Sequence, residues 1–280
     1  MDYFSLFGFD KEPFSNSPDP EVFYRSPGHE ECLNLIETAI RYRDGLLVVL
    51  GDVGAGKTTL SRVFLRTLQS AEDGGRFVTQ ILSDPVFASE YQFLRKLCDV
   101  FDTDPVKGNR TALDCKSSLK LFLNDSADQD RIVTLVIDEG QKLTPTIIEN
   151  LRMLLNYEHN DKKLINIVIF GQDDLTPIIS RQKNFFDRIE MKYTLNPLSE
   201  PYAIKMIQQR MQAAGRRDEL FTDKAYDVIV SYSNIPRNLV RICREALRIL
   251  AASTTDPTAM IDDAIARDAI NRHTFQKRAG

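Results

Sequence analysis

Residues 51–58, Gly51-Asp52-Val53-Gly54-Ala55-Gly56-Lys57-Thr58, read GxxxxGK[ST] and constrain this chain more than any other stretch. The apolar run Leu46–Leu50 comes before them, and a helical pattern from Lys57 to about Gln69 follows. A buried strand, a glycine-rich turn and a helix opening on Lys-Thr form the phosphate-binding P-loop arrangement. Glycines let successive backbone N–H groups turn inward around phosphate oxygens. The helix N-terminus adds the positive end of its dipole. Lys57 can then reach the β- and γ-phosphates, and the Thr58 hydroxyl can ligate Mg²⁺. Thr59 extends the nucleotide-binding set, and the implied ligands are ATP and Mg²⁺.

A second motif answers the first. Ile132–Ile137 is a continuous apolar strand ending in Asp138 and Glu139. Asp138 at the strand's carboxyl edge can hold Mg²⁺, and Glu139 can polarise a water for attack on the γ-phosphate. A small-molecule kinase would need a positioned acceptor more than a second carboxylate, so the pair favours hydrolysis over transfer. The alternative, two acids capping the next loop, does not explain the P-loop.

Around these motifs strands and helices alternate. Strands are expected at Phe77–Leu82, Ile132–Ile137 and Leu164–Phe170. Helices are expected at about His29–Tyr42, Ser89–Phe101, Ala112–Asn124 and Pro145–Tyr157, with a polar loop at Asp102–Arg110 carrying Pro105 and Gly108. Strands that are apolar on both faces predict a parallel sheet covered by helices. Beyond Leu198 no strand is evident and helical periodicity dominates at Glu200–Ala214, Asp223–Tyr232, Arg237–Ala252 and Ile261–Thr274. The expected organisation is an α/β core over residues 1–198 and a small all-α lid over 199–280. The first 28 residues, rich in Phe, Pro and Asp and including Pro18 and Pro20, are read with the core as a segment anchored by its rings.

Composition narrows the class. With 36 Lys plus Arg against 40 Asp plus Glu, a net charge of -4 argues against a generic nucleic-acid coat. Three His and four Cys without a CxxC pair leave neither a zinc cluster nor a disulfide framework to expect. No run approaches the roughly 18–20 apolar residues of a membrane helix, and Met1–Ser5 lacks a signal-peptide pattern. The expectation is a cytoplasmic protein with no membrane insertion of its own.

Further residues carry two readings each. Gln172, just past the Leu164–Phe170 strand, would lie between Asp138 and the γ-phosphate; otherwise it is a loop residue facing solvent. Arg181 and Arg188 flank Phe185 and Phe186; either can project into a neighbouring subunit's site, Arg188 ahead of Arg181, or be a surface arginine. Arg237, Arg241, Arg244 and Arg248 share one helical stripe opposite Leu239, Ile242, Cys243 and Leu247. Such a stripe is ordinarily a solvated face, but Arg237 in the first turn can reach a γ-phosphate beneath a lid. The other three, with Arg272, Lys277 and Arg278, can meet nucleic acid. His29 can border an adenine.

The chain resembles the ExeA (general secretion pathway protein A) type of AAA+ ATPase. The likeness starts at Tyr3–Phe9 and Pro13–Pro20, and continues through the P-loop, Ile137–Gln141 and Leu151–Glu158. It ends in Gly171–Leu175, Asp187-Arg188-Ile189 and Pro236-Arg237. The resemblance implies Gln172 as sensor 1, Arg188 as arginine finger and Arg237 as sensor 2. It implies a homo-oligomer, ring or filament, driving assembly of a secretion or cell-envelope complex. Related AAA+ proteins regulate transposition on DNA, and a slow nucleotide-gated scaffold is a third reading. Two departures stand out: Gly140 where the family often has Ala, which could loosen the next turn, and Asn234 where it often has Gly. The resemblance implies that secretion-type members usually carry a membrane helix and a periplasmic peptidoglycan-binding region after the ATPase, and these 280 residues do not include them. Envelope work is therefore expected through a separate membrane partner, with this chain at most peripheral at the inner membrane.

Overall fold

The computed structural model describes residues 3–15, 22–103, 111–159 and 162–279, with side chains in the last helix as far as Phe275. Pro18 and Pro20, Pro105 and Gly108, and the side chains of Lys277 and Arg278 lie outside the described residues. The chain divides into two units, an α/β unit of Pro27–Asp52 and Lys57–Leu195, and a helical unit of Met1–Ser26, Val53–Gly56 and Asn196–Gly280.

The α/β unit begins with α1 (Pro27–Tyr42), β1 (Leu46–Gly51), α2 (Lys57–Ser70) and β2 (Phe77–Leu82). It continues through α3 (Glu90–Val100), α4 (Ala112–Asp128), β3 (Ile132–Ile137) and α5 (Pro145–Leu154). A two-stranded hairpin, β4 (Glu158–His159) with β5 (Lys162–Lys163), leads into β6 (Ile165–Gly171). The short helices α6 (Leu175–Ser180) and α7 (Lys183–Phe186) then precede β7 (Ile189–Leu195).

The five-stranded sheet has the order β2-β3-β6-β1-β7, each neighbour parallel to the next. The three central strands are buried along their whole length, as their unbroken apolar sequences require. Leu46, Val48, Leu135, Ile137, Ile167 and Ile169 form one core with Phe93 and Leu97 of α3 and Ile147 and Leu151 of α5. Local chemistry sets the helix starts. Thr111 and Asp114 form a reciprocal capping box on α4, and the Thr144 hydroxyl accepts from Ile147 N–H where Pro145 opens α5.

Strand β7 is absent from the sequence reading, which placed no strand between Phe170 and Leu198. Its exposed Glu190 and Lys192 alternate with half-buried Met191 and Tyr193, as in an edge strand. Pairing with β1, Leu47 to Met191 and Leu50 to Thr194, makes it a strand. Helix α5 stops three residues short of Tyr157, where the chain turns into the hairpin.

The helical unit contains α8 (Glu200–Ala213), α9 (Asp223–Tyr232), α10 (Pro236–Ser253) and α11 (Asp263–Ala279). Ile207, Ile229, Leu239, Ile242 and Leu247 pack together, joined by Phe7, Phe9 and Phe14 of the N-terminal segment. This segment, read with the α/β core from its sequence, groups with the helices instead. Arginines fasten its backbone. Arg216 Nη1 donates to Phe7 O at 2.6 Å, Arg244 Nε to Phe14 O at 2.8 Å and Arg210 Nη1 to Ser15 O at 3.2 Å. The Arg248 guanidinium lies over the Tyr3 ring at 5.4 Å. Phe14 meets Phe221 edge-on at 6.1 Å and is fully buried. Gly215, at φ +102°, passes against Asp10; a Cβ there would lie 2.2 Å from the Asp10 carboxylate. Two of the stripe arginines thus hold a protein segment.

Candidate functional site

Strand β1 delivers Gly51 to the carboxyl edge of the sheet, and α2 begins at Lys57. Lys57 is 9% exposed, and its Nζ donates to Gly51 O at 2.7 Å and Asp52 O at 2.9 Å. A buried ammonium needs such partners, because desolvation without hydrogen bonds is costly. One residue on, Thr58 Oγ1 donates to Asp138 Oδ2 at 2.6 Å. Asp138 is 3% exposed, and its N–H still bonds Leu82 O at 2.9 Å, so β2 and β3 fix its backbone. Its other carboxylate oxygen accepts from Glu139 N–H at 3.0 Å.

Glu139 adopts a left-handed conformation, φ 55° and ψ 40°. A non-glycine residue there carries roughly 1–3 kcal/mol of strain and persists only where its surroundings hold it. Two neighbours do so. Gln141 Nε2 donates to Glu139 Oε2 at 2.6 Å. Gly140 is tucked so close to β6 that a Cβ would lie 2.4 Å from Ile169 Cγ2 and 3.1 Å from Phe170 O. The glycine that looked from sequence as if it would loosen this turn is therefore demanded by close packing. Gln172, just past β6, donates its backbone N–H to Gln141 Oε1 at 3.2 Å.

The structure thus gathers Lys57, Thr58, Asp138 and Glu139 at one sheet edge, with Gln172 joined through Gln141. Arg188 is not among them. It precedes Ile189, which pairs with Leu46 at the amino end of β1. From Leu46 to Gly51 the strand runs roughly 17 Å at about 3.3 Å per residue. The Glu158 carboxyl is held below the usual range by the hydrogen bond and charge of Lys163, with only a small contribution from the Arg188 charge. Arg181 is exposed, and His29 is buried within α1.

Within the helical unit, the P-loop residues Gly54 (φ +87°) and Gly56 (φ +104°) hold the left-handed backbone that the motif needs. Arg237 N–H donates to Gly54 O at 3.2 Å, and a Cβ on Gly54 would lie 2.5 Å from Arg237 Cβ. Val53 is exposed, Ala55 buried, and Asp52 and Arg237 exposed.

A hydroxyl and a carboxylate facing each other at hydrogen-bond distance form a hard-oxygen donor set. Such a set fits a small divalent cation that completes its shell with phosphate and water oxygens. Thr58 and Asp138 meet that requirement, and Glu139 stands next in the chain to them. Gln141 is the residue that sequence reasoning passed over. It stood within the Ile137–Gln141 motif, but its two partners, one 31 residues away, exist only in the fold.

A family model described as an AAA domain matches residues 40–179, half of the 280-residue chain. General secretion pathway protein A of Aeromonas hydrophila is 32% identical over 250 residues. That match covers 88% of this chain and 44% of the relative, so the chain spans less than half of its length. Among solved structures, the Aeropyrum pernix ORC2 protein in ADPNP-ADP complexes superposes with TM-score 0.69 at 18% identity, over 95% of this chain and 72% of that one. Drosophila ORC bound to DNA gives TM-score 0.69 at 16% identity, over 96% of this chain and 65% of that one. At these identities the two structures speak for the fold alone. Among the described residues no helix is long and apolar enough to cross a membrane.

Proposed function

The chain belongs to the AAA domain family, and on that premise we propose that it hydrolyses ATP to ADP and phosphate and couples turnover to its own assembly. The observation that carries this reading is the 2.6 Å contact of Thr58 with Asp138, beside Glu139 on one side and Lys57 on the other. Lys57, kept at the end of β1 by two carbonyls, neutralises phosphate oxygens. Thr58 and Asp138 would hold Mg²⁺, which when bound draws charge from the phosphates. Glu139 takes the proton of the attacking water. Gly51 to Thr59 line the phosphates, Gln172 reports their state from the end of β6, and Arg237 serves as the second sensor.

Arg188 reaches the reaction from a neighbouring copy. Its place at the amino end of the sheet supports this, since it lies a strand's length from Gly51 in its own chain. Hydrolysis should then rise more than linearly with protein concentration. Arg188→Ala should abolish that rise while keeping ATP affinity. Strict proportionality at concentrations where the chain is monomeric refutes the finger.

The likeness to general secretion pathway protein A supports a protein partner in a secretion complex. The DNA-associated reading draws less from this chain, because Arg244 and Arg248 engage the N-terminal segment. Steeply salt-dependent DNA binding that requires ATP would restore it.

A further inference from the structure

We propose that Gln141 is a positioning residue for the catalytic carboxylate, a bridge that ties Glu139 to the end of β6. The inference rests on the reading of Glu139 as the general base. An amide has one donating and one accepting end, and the contacts assign them. Gln172 N–H can only donate, so Gln141 Oε1 faces it at 3.2 Å. That leaves Nε2 for Glu139 Oε2, at 2.6 Å. A glutamate would face a second carboxylate, and a methionine would offer Gln172 only a weak sulfur acceptor and Glu139 no donor.

The bridge has a reason to exist. Glu139 sits in a strained left-handed backbone, so its side chain is not placed by ordinary helix or strand geometry. The turn that carries it is seated on β6 through Gly140, 2.4 Å from Ile169 by its virtual Cβ. Gln141 adds a directional link from the same strand's end to one carboxylate oxygen, Oε2. Any displacement of Gln172 is transmitted to Glu139 through two hydrogen bonds. The nucleotide state sensed at Gln172 therefore sets the aim of the base. Misplacing a reacting group by an ångström costs up to about 100-fold in rate.

The test compares wild type, Gln141→Met, Gln141→Glu and Glu139→Gln in the full chain with Mg-ATP. It reads kcat, KM, the affinity for a fluorescent ATP analogue, and Tm. Both Gln141 variants should lose about 10- to 100-fold in kcat. Their KM, analogue affinity and Tm should stay near wild type, and Gln141→Glu should be no better than Gln141→Met although it keeps the Gln172 contact. Turnover within twofold of wild type in both variants, with Glu139→Gln inactive, overturns the role of Gln141 alone. So does a loss matched by an equal loss of nucleotide affinity or by a collapse of Tm in both variants, which marks a merely structural residue. Wild-type turnover in Glu139→Gln removes the parent reading and this one together.

Discussion

Thr58 and Asp138, 80 residues apart in sequence, meet at 2.6 Å between Oγ1 and Oδ2. The contact joins the first turn of the helix after the glycine-rich loop to the residue just past the end of β3. It makes the two motifs one site. Replacing Thr58 by Val keeps the volume and removes the hydroxyl. Turnover should fall by about 100-fold or more, as for loss of one polar group that acts in the transition state. Mg²⁺ should support nucleotide binding less well, while binding without Mg²⁺ changes little. An unaltered Mg²⁺ titration in the variant would contradict the assignment.

Gly140→Ala tests the seating of the turn that carries Glu139. A Cβ would press on Ile169 at 2.4 Å, and a β-branched side chain of a central strand yields only by moving backbone. Overpacking of this kind costs about 1–3 kcal/mol, readable as a shift of the urea midpoint at unchanged slope. Unchanged stability would mean that the turn lifts freely from β6.

The N-terminal segment belongs to the core of the helical unit, so it should respond as core. Phe14→Ala removes a fully buried ring that meets Phe221, and should cost about 3–5 kcal/mol of stability. Arg244→Met, which leaves Phe14 O without its donor, should cost about 1–3 kcal/mol. Loss of stability without loss of ATP affinity in Arg244→Met would separate this role from nucleotide chemistry. Stability equal to wild type in both variants would show the segment to be dispensable.

Alkaline pH should weaken the fold. Burial first, and the charge of Glu31 second, push the Cys32 thiol from 9.0 up to about 12. The thiol stays protonated in the folded chain over a range where the unfolded chain ionises. Its contribution is whole below about pH 9 and is lost as pH rises toward 12, by about 1 kcal/mol per unit. Denaturation at pH 8.5 and 10.5 should show the decline, and Cys32→Ala should show less of it. An equal decline in that variant would assign the effect to other groups.

The local structure of the two motifs was legible in the sequence because each motif carries its own elements. Gly51–Thr58 and Ile132–Glu139 each carry their own strand, turn and end group, and the strands proved as apolar and as buried as their composition implied. What stayed hidden depends on partners far along the chain. Ile189–Leu195 is a strand only because β1 lies beside it, and its polar face masks it as loop. The arginines of α10 looked like a solvated stripe, yet Arg244 reaches a carbonyl 230 residues away. Gln141 joins Glu139 to Gln172 through contacts that no periodicity records. Gly140 read as a loosening departure until the nearness of Ile169 explained it.

The central claim is that Glu139 activates water at a site where Lys57, Thr58 and Asp138 bind the nucleotide. Single-turnover ATP hydrolysis by Glu139→Gln, measured beside its ATP affinity and oligomeric state, tests it most directly. The account predicts retained binding, oligomers that persist in ATP, and hydrolysis reduced by about 100-fold or more. Hydrolysis at the wild-type rate by that variant would contradict it.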